Sequence, residues 1–548
     1  MVQSPVQQTT VAEMIANVVM QRTDQVFGLI GNGNVDLMST LTSAHFSLTT
    51  VRHEVAAVTA ADAYFRATGK IAMATATYGA GFTNMATGLA EAQLARIPMV
   101  AVVGEAPTTG RRPFDIDQQT VTAGLNIPML TVDEHTVSAV MHQAFDMAAD
   151  SQEPVVVLVP YDVNAAPAQH VDNDTAGSYT PVALPQATDA ELAEIADALV
   201  AAERPLILTG GGVVRSATGP LARELGDAIG AVFMHSLTAS NVTGSPHSLG
   251  IAGGFTPEYR LPAVRAADMV LILGATSNNF QTRKGQLFGT DNIHRIDLSD
   301  KWNLSLPQAN TVFGELTDAL PRLIAAVNAR TQQRSTYRDE LAGLLAEDTV
   351  DDEPVYGTDQ RLNPRHVAKQ LEEILPQNRQ IVLDGGHFIT WISERLTIAE
   401  PSSLMAVGTA FQSIGLGFGS AVGATVASPE KFTVCVSGDG GGQMALADLA
   451  TFIEATDHGA VLIFNDAAYG AEIHQYAVQG ADPTAMYLPQ LDFAAIGQAM
   501  GATGISVDTL EDLDAFAEWV HHGTGVAMVN INVSTEFAHS ALAPGATG

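Results

Sequence analysis

Short apolar runs rich in strand-forming residues recur along this chain of 548 residues, and segments with helical patterns separate them. Continuous apolar strands that alternate with helices are typical of parallel sheets covered on both faces. The chain is therefore predicted to be an α/β protein whose ligands bind beyond the carboxyl ends of its strands. The main runs are IAMATA (71–76), PMVAVVG (98–104), PVVVLVP (154–160), PLILTGGG (205–212), MVLILGA (269–275), QIVLDGG (380–386), FTVCVSGDG (432–440) and AVLIFND (460–466).

The length predicts about three domains, at roughly 100 to 200 residues each. Two stretches, 164–187 and 348–360, resemble linkers, and the first of them has no helical or strand periodicity. A capping-box pattern, Thr-Asp-Ala-Glu, follows at 188–191, and an N-cap with proline, Asn-Pro, follows at 363–364. We therefore predict three doubly wound parallel-sheet domains. They are residues 1–165, 188–347 and 362–548.

The charge balance is strongly acidic, with 59 Asp and Glu residues against 26 Lys and Arg residues and a formal net charge of −33. Such a field repels a phosphate backbone, and no basic cluster offsets it, so we expect no nucleic-acid partner. The acidity fits either adaptation to high salt or an acidic surface encoded by a GC-rich genome.

The cysteine count and the hydropathy pattern indicate the cellular compartment in which the protein is expected. Cys435 is the single cysteine, so an intrachain disulfide is excluded. No apolar run approaches the roughly 18 to 20 residues of a transmembrane helix, and the N-terminus lacks the features of a signal peptide. We expect a cytoplasmic protein with no membrane partner.

A glycine-rich segment, Gly438-Asp439-Gly440-Gly441-Gly442, lies where the predicted strand 432–437 turns into a helix. Backbone N–H groups without side chains can approach an anion closely at such a turn, so the segment predicts a phosphate cradle. The carboxylate of Asp439 would repel a bare phosphate, and a divalent cation between the two resolves this conflict.

The next predicted strand, 461–464, ends in Asn465 and Asp466. The step of 27 residues from Asp439 to Asp466 spans one strand-to-strand crossover, which places two oxygen ligands at the same sheet edge. The pattern therefore predicts a site for a hard cation such as Mg²⁺ beside the phosphate.

These motifs resemble the signature of the thiamine-diphosphate (ThDP) enzymes, in which Gly-Asp-Gly is followed about thirty residues later by an Asn-Asn pair. The resemblance covers essentially the whole chain and is closest to the acetohydroxyacid synthase, benzoylformate decarboxylase and pyruvate decarboxylase group. It implies, in order, a pyrimidine-binding domain, a central Rossmann-like domain and a diphosphate-binding domain.

The resemblance also implies the cofactor contacts of the third domain. Mg²⁺ would be held by Asp439, by the side chain of Asp466 and by the main-chain carbonyl of Ala468, with Tyr469 and Gly470 and the glycine-rich segment contacting the cofactor. The chain departs from the family at one position, because the family usually has Asn where Asp466 stands. The added negative charge is expected to alter affinity for the metal or the diphosphate.

In the first domain, Val-Arg-His-Glu at 51–54 opens an alanine-rich helical pattern. The resemblance implies that Glu54 bonds N1′ of the cofactor's aminopyrimidine. A carboxyl group there favours the imino tautomer, whose nitrogen takes the proton from thiazolium C2 and produces the ylide nucleophile.

Further contacts are implied by three other segments. The turn at 77–84 resembles the family's Gly-Pro-Gly turn beside the pyrimidine, with Gly79 as the contact. The loop after the strand at 380–383 resembles the one that closes over the diphosphate, which makes Gly386, His387 and Phe388 candidate contacts. Ile414 takes the position of the apolar wedge that forces the cofactor into a V shape.

Residues that would decide the reaction fit no subfamily cleanly. Glu472 matches by position the acid with which pyruvate decarboxylases manage protons, and a partly buried site would raise its pKa. His474 is a nearby catalytic candidate, but the paired histidines of those decarboxylases are not evident. The Phe-Gln-Glu of acetohydroxyacid synthases reads Phe-Asp-Ile at 114–116. Gln119 or Gln118 is the nearest polar substitute.

The second domain carries two glycine-containing turns, at 210–212 and 274–279. By resemblance they could cradle FAD, as in acetohydroxyacid synthases, or an ADP group, as in relatives that handle CoA. Many decarboxylases keep such turns without a ligand, and a lone glycine-rich turn is weak grounds for one. We favour a central domain without flavin.

The resemblance implies an enzyme that attacks a 2-oxo acid, releases CO₂ and leaves an enamine. Transfer to a second oxo acid or an aldehyde gives an acetolactate-synthase-like carboligase, the favoured alternative. Protonation assisted by Glu472 gives a non-oxidative decarboxylase, and a lyase for 2-hydroxyacyl-CoA or acyloins and a non-catalytic regulatory protein are further alternatives. The family builds each site from two subunits, which implies a homodimer or homotetramer. Arg111, Arg112 and His474 are candidates to receive the anionic substrate.

Overall fold

The computed structural model describes residues 8–169, 180–181, 183–299, 305–330, 333–346 and 353–538. Both predicted linkers lie partly outside these ranges. The described strands form three six-stranded sheets, and every paired strand within them runs parallel to its neighbour. The prediction of an α/β protein with three parallel sheets is confirmed.

The N-terminal sheet has the strands β1 (Val26–Gly28), β2 (Leu48–Thr50), β3 (Met73–Ala76), β4 (Met99–Glu105), β5 (Met129–Thr131) and β6 (Pro154–Pro160). Their order is β2-β1-β3-β4-β6-β5. The accompanying helices are α1 (Val11–Arg22), α2 (Val35–Ser43), α3 (Glu54–Thr68), α4 (Ala80–Ala95), α5 (Gln118–Gly124), α6 (Val137–Ser151) and α7 (Tyr161–Asn164).

The central sheet has the strands β7 (Pro205–Thr209), β8 (Val232–His235), β9 (Ser248–Ile251), β10 (Met269–Leu273), β11 (Ile293–Asp297) and β12 (Asn310–Phe313). Their order is β12-β11-β10-β7-β8-β9. The helices are α8 (Asp189–Ala201), α9 (Gly211–Arg215), α10 (Gly219–Ile229), α11 (Leu261–Ala266), α12 (Leu316–Asn328), α13 (Tyr337–Glu340) and α14 (Ala342–Leu345).

The C-terminal sheet has the strands β13 (Arg379–Leu383), β14 (Leu404–Ala406), β15 (Phe432–Gly438), β16 (His458–Asn465), β17 (Thr503–Val507) and β18 (Gly525–Asn532). Their order is β14-β13-β15-β16-β18-β17. The helices are α15 (Pro364–Ile374), α16 (Ile389–Arg395), α17 (Gly417–Ala427), α18 (Asp439–Met444), α19 (Leu449–Ala455), α20 (Gly470–Tyr476), α21 (Phe493–Ala499) and α22 (Leu513–His522).

Local capping signals place several helix starts where the sequence predicts them. Thr188 and Glu191 form the reciprocal hydrogen bonds of a capping box at the start of α8. The side chain of Asn363 accepts from the N–H of Arg365, with Pro364 as the first residue of α15. The helix predicted after the glycine-rich segment is interrupted, because α18 ends at Met444 and a 3₁₀ turn precedes α19.

The N-terminal and C-terminal domains share one hydrophobic core, in which α3 packs against α17. Small residues permit this approach. A β-carbon added to Gly423 would lie 2.0 Å from the carbonyl oxygen of Ala60, and one added to Gly419 would lie 2.8 Å from Cα of Ala56. The two helix backbones are therefore in direct contact. No helix in the described part of the chain is both long and apolar enough to cross a membrane.

Candidate active site

Two carboxylates meet at the carboxyl edge of the C-terminal sheet. Asp439 and Asp466 follow the parallel neighbours β15 and β16, whose register pairs Gly438 with Phe464. Both side chains are buried, and Oδ2 of each has no hydrogen-bond partner among the described residues. Burial, and secondarily the charge of Asp466, raises the pKa of Asp439 to about 7. Buried acceptors without donors are unfavourable unless a cation balances them, so this pair suits a divalent metal ion.

The turn that follows Asp466 has a constrained backbone. Ala467 has a φ of 56°, and Oδ1 of Asp466 accepts from the N–H of Ala468 at 3.2 Å. The segment 486–488 is hydrogen-bonded to this turn. The N–H of Tyr469 donates to the carbonyl of Met486, and the carbonyl of Ala467 accepts from the N–H of Leu488. The turn is thereby fixed beside the carboxylate pair, at the position predicted for the third metal ligand.

Glycines leave room around the carboxylates. A β-carbon on Gly470 would lie 2.4 Å from Oδ2 of Asp466 and 2.4 Å from Cε1 of His387. A β-carbon on Gly440 would lie 2.6 Å from the ring of Tyr469. These positions require glycine, and a backbone without side chains at a helix start suits the diphosphate predicted for this edge.

Two histidine rings stack beside the pair. His387 and His474 have ring centroids 5.8 Å apart at 27°, and Nε2 of His387 lies 3.3 Å from Oδ2 of Asp466. Burial, and then the charge of His387, lowers the pKa of His474. Glu472, on the same helix as His474, is exposed. The expectation that Glu472 lies at a partly buried site is therefore not met in the single chain.

The loop after β13 contributes differently along its length. Gly386 is exposed, with a φ of 151°, whereas Phe388 is 2% exposed and stacks on Phe464 at 6.3 Å between centroids. Phe388 thus belongs to the hydrophobic core of the domain. Among the predicted contacts in this loop, Gly386 and His387 are the ones that face the carboxylate edge or solvent.

The predicted wedge residue is held next to this loop. A β-carbon on Gly385 would lie 2.9 Å from Cγ2 of Ile414, which is half-buried. The carboxylate of Asp384 accepts from the N–H groups of Gly415 at 2.9 Å and Leu416 at 3.1 Å. Asp384 was not among the predicted site residues. An aspartate at the end of a buried strand, before two glycines, was the available signal.

The N-terminal domain presents the other predicted half of the site. Glu54 is the first residue of α3, and its Oε2 accepts from Nδ2 of Asn84 at 2.9 Å. A β-carbon on Gly81 would lie 3.2 Å from Oε1 of Glu54. Gly79, which precedes α4, has a φ of 61°. Only glycine adopts such a backbone readily, so the turn at 77–84 keeps its shape through this residue.

A glutamine is bound to this turn. Oε1 of Gln118 accepts from the N–H of Gly79, and its Nε2 donates to the carbonyl of Gly104 at 2.8 Å. Gln118 is 2% exposed, whereas Gln119 is exposed. The structure therefore places Gln118, and not the predicted Gln119, against the Gly79 turn. The start of α5 decides this, since consecutive helical residues face different directions.

Arg112 is the centre of an aromatic cage in the same loop. Its guanidinium carbon lies 4.4 Å from the ring centroid of Tyr78, 4.7 Å from that of Phe114 and 4.6 Å from that of Tyr161. It also makes two hydrogen bonds of 2.9 Å to the carboxylate of Asp115. Arg112 is thus engaged within the chain and stiffens the loop, which makes it a poor receptor for a substrate carboxylate.

Arg111, the neighbour of Arg112, is largely exposed and pairs with Asp117 at 2.9 Å. Because an exposed ion pair contributes little and exchanges readily with solvent, Arg111 retains the capacity to bind an anion.

The two glycine turns of the central domain meet each other. The N–H of Gly212 donates to the carbonyl of Gly274 at 2.8 Å, and a β-carbon on Gly210 would lie 2.5 Å from Cα of Ala275. Both turns lie at the carboxyl ends of the neighbouring strands β7 and β10. The close contact between the two turns requires glycine at these positions. Their glycines are therefore explained without a bound nucleotide.

Comparison with known proteins identifies the family. Models of the thiamine pyrophosphate enzymes match in three consecutive parts, the N-terminal TPP binding domain at 9–127, the central domain at 192–322 and the C-terminal TPP binding domain at 384–531. The chain is 26% identical to the acetolactate synthase isozyme 2 large subunit of Escherichia coli K12, over 94% of this chain and 93% of that protein.

Two further relatives differ in reaction. The chain is 25% identical to a sulfoacetaldehyde acetyltransferase from Castellaniella defragrans, over 93% of this chain and 90% of that protein. The structure of a ThDP-dependent 4-hydroxybenzoylformate decarboxylase from Rhodococcus jostii RHA1 superposes with a TM-score of 0.78 at 18% identity, over 96% of this chain and 99% of that one. The chain belongs to the thiamine pyrophosphate enzymes, and it is a ThDP-dependent enzyme that forms or cleaves carbon–carbon bonds.

Proposed function

We propose that this enzyme decarboxylates a 2-oxo acid and transfers the remaining acyl group to a second carbonyl compound, as acetolactate synthases do. The observation that carries the proposal is the pair of buried carboxylates at adjacent strand ends, Asp439 and Asp466, whose Oδ2 atoms accept no hydrogen bond in the described structure. Full-length similarity to acetolactate synthases supports the choice of carboligation.

The carboxylate pair would hold Mg²⁺ through Asp439 and Asp466, with the carbonyl of Ala468 as a third ligand. A divalent ion needs oxygen ligands, and two buried carboxylates, each with an Oδ2 that accepts no hydrogen bond in the described structure, fit that need. Gly440 and Gly470 would leave the backbone open to the diphosphate. The family usually has an amide at 466, so here the two carboxylates would neutralise the ion completely and leave less positive charge for the diphosphate.

The N-terminal half would bind the pyrimidine through Glu54 and the Gly79 turn. ThDP, when bound, supplies a carbon nucleophile and an electron sink for the carbanion left by decarboxylation. The chain would hold a proton at the Glu54 carboxyl group. The hydrogen bond from Asn84 fixes the orientation of this carboxyl group. Gln118 fixes the turn from the other side.

We propose that two copies of the chain build each site, as the family resemblance implies. Several large apolar side chains are exposed in the single chain, and a second copy would cover them. They include Ile30, Phe114, Phe411, Met444, Tyr476 and Tyr487.

A decarboxylase is the second candidate. Exposed Glu472 lies on α20 two residues from His474, whose ring stacks on His387 next to Asp466, and from there it could deliver a proton to the acyl group in place of carboligation. On this alternative, an aldehyde is released and no acceptor is required.

The deciding experiment is a product screen by mass spectrometry with ThDP and Mg²⁺. Pyruvate, benzoylformate and branched 2-oxo acids are supplied with and without aldehyde acceptors. We expect hydroxyketone or 2-hydroxy-2-methyl-3-oxo acid products. Aldehyde as the sole product would favour the decarboxylase, and no CO₂ from any of these acids would refute both.

A further inference from the structure

The loop that carries Ile414, residues 408–416, is held at both ends by buried carboxylates from different domains. We propose that Glu91 and Asp384 are positioning residues that together fix this wedge loop, and with it Ile414, relative to the diphosphate edge and to the N-terminal domain. The inference rests on the proposed function, because Ile414 matters to catalysis only if the cofactor is bent over it.

Asp384 fixes the C-terminal end of the wedge loop. Its carboxylate accepts from the N–H of Gly415 at 2.9 Å and of Leu416 at 3.1 Å, and from the hydroxyl of Ser437 at 2.8 Å. Ser437 lies two residues before Asp439 on β15. One fully buried carboxylate therefore sets the spacing between the wedge loop and the predicted diphosphate segment.

Glu91 fixes the other end from the N-terminal domain. Its carboxylate is fully buried and accepts from the N–H of Phe411 at 2.7 Å and of Ala410 at 3.4 Å. Arg66, from the same domain, lies 3.7 Å from Glu91 and also bonds Asp62 at 2.5 Å, so the two carboxylates share one cation. Glu91 belongs to α4, the helix that begins at the Gly79 turn.

The loop that Glu91 and Asp384 hold has backbone conformations that are unfavourable unless hydrogen bonds maintain them. Gly408, Gln412 and Gly415 have φ values of 103°, 61° and 79°, and for Gln412 this left-handed conformation is unfavourable. Burying two carboxylates against one short loop is also unfavourable unless they accept hydrogen bonds. Because both carboxylates accept hydrogen bonds from this loop, we infer that their role is to fix its position.

A first test uses the protein without cofactor. Amide hydrogen exchange of peptides that cover 408–416 is measured by mass spectrometry in the parent, in E91A and in D384A. We expect exchange there to accelerate by about tenfold or more in both variants, because each loses hydrogen bonds that close the loop. The matched control is D62N, which disturbs the same Arg66 network without touching the loop.

D62N is expected to lower the melting temperature as E91A does and to leave exchange at 408–416 within about twofold of the parent. Equal acceleration in D62N and E91A, or none in E91A and D384A, would overturn the inference. If D384A fails to fold, E91A and its conservative counterpart E91Q decide the matter, because Gln retains an oxygen that accepts from Phe411.

A second test uses the protein loaded with ThDP and Mg²⁺. We expect C2 hydrogen exchange of bound ThDP to slow about tenfold or more in E91A, with near-parent rates restored in E91Q and an affinity for ThDP within about threefold, because a small misplacement of reacting groups has a large kinetic effect. Unchanged C2 exchange in E91A would contradict the inference. If the parent protein binds no ThDP, the proposed function is refuted. The hydrogen-exchange experiment on the protein without cofactor then tests the anchoring of the loop by itself.

Discussion

Asp466 is the position where this chain departs from its family, and D466N is the substitution that tests what the second carboxylate does. Asparagine has nearly the same shape, and its Oδ1 can still accept from the N–H of Ala468. The variant therefore removes one buried charge from the pair while the turn keeps its hydrogen bond.

The magnitude follows from Asp439. Its pKa rises from 3.8 to about 7, a penalty on its ionised form of about 4 kcal/mol. Burial is the larger cause, so we assign roughly 1–2 kcal/mol to the charge of Asp466. Removing that charge should stabilise the metal-free protein at pH 8 by this amount, which corresponds to a melting temperature about 1–3 °C higher for a cooperative unit formed by the two outer domains.

The pH dependence has a definite sign. An acid whose pKa is higher in the folded state than in the unfolded state binds more protons when folded, so stability falls as pH rises. For metal-free parent protein the loss attributable to Asp439 runs from about pH 4 to about pH 7, and it should be smaller in D466N. Saturating Mg²⁺ should remove the loss, because the ion favours the ionised pair.

The assay is thermal unfolding of parent and D466N at pH 6 and pH 8, each with EDTA and with Mg²⁺, together with a Mn²⁺ titration followed by electron paramagnetic resonance. We expect D466N to bind Mn²⁺ at least about tenfold more weakly, or ~1.4 kcal/mol. D448N is a suitable control, since Asp448 is buried in the same domain but accepts from the N–H of Arg52. Lower stability of metal-free D466N at pH 8, with unchanged Mn²⁺ affinity, would refute the reasoning.

Three further outcomes are expected. E54Q should bind ThDP normally yet slow C2 hydrogen exchange by about a hundredfold or more, because it removes the acid–base group, and parent-like exchange measured by quenched-flow NMR would exclude this role for Glu54. Q118A should lower kcat/KM about tenfold or more while Q119A stays within about twofold, because only Gln118 bonds the Gly79 turn; equal steady-state values would contradict the assignment. E472A should slow aldehyde release more than CO₂ release in a stopped assay, and equal slowing would remove its relay role.

The sequence was most informative where function depends on the order of strands and turns. Asp439 and Asp466 were predicted to meet because parallel neighbours place their carboxyl ends at one edge, and the register of β15 and β16 brings this about. The cap at Asn363 was likewise readable, because capping depends on residues a few positions apart.

Long-range contacts were not readable in the same way. The role of Asp384 arises from donors at 415, 416 and 437, which no local pattern connects. Whether Gln118 or Gln119 faces the Gly79 turn depends on the residue at which α5 begins. A shift of the helix start by one residue would turn a different side chain toward the turn. The exposure of Glu472 depends on what covers α20, which includes any second copy of the chain.

The contact of Gly423 with the carbonyl of Ala60 has a consequence for how the molecule unfolds. Helices from the first and the last domain touch through their backbones inside a single core, whereas the central domain has a core of its own. The outer domains are thus one cooperative unit whose two parts are separated along the chain by about 200 residues. The first domain, released alone from a ribosome, would present an unfilled apolar face until the last domain has been synthesised.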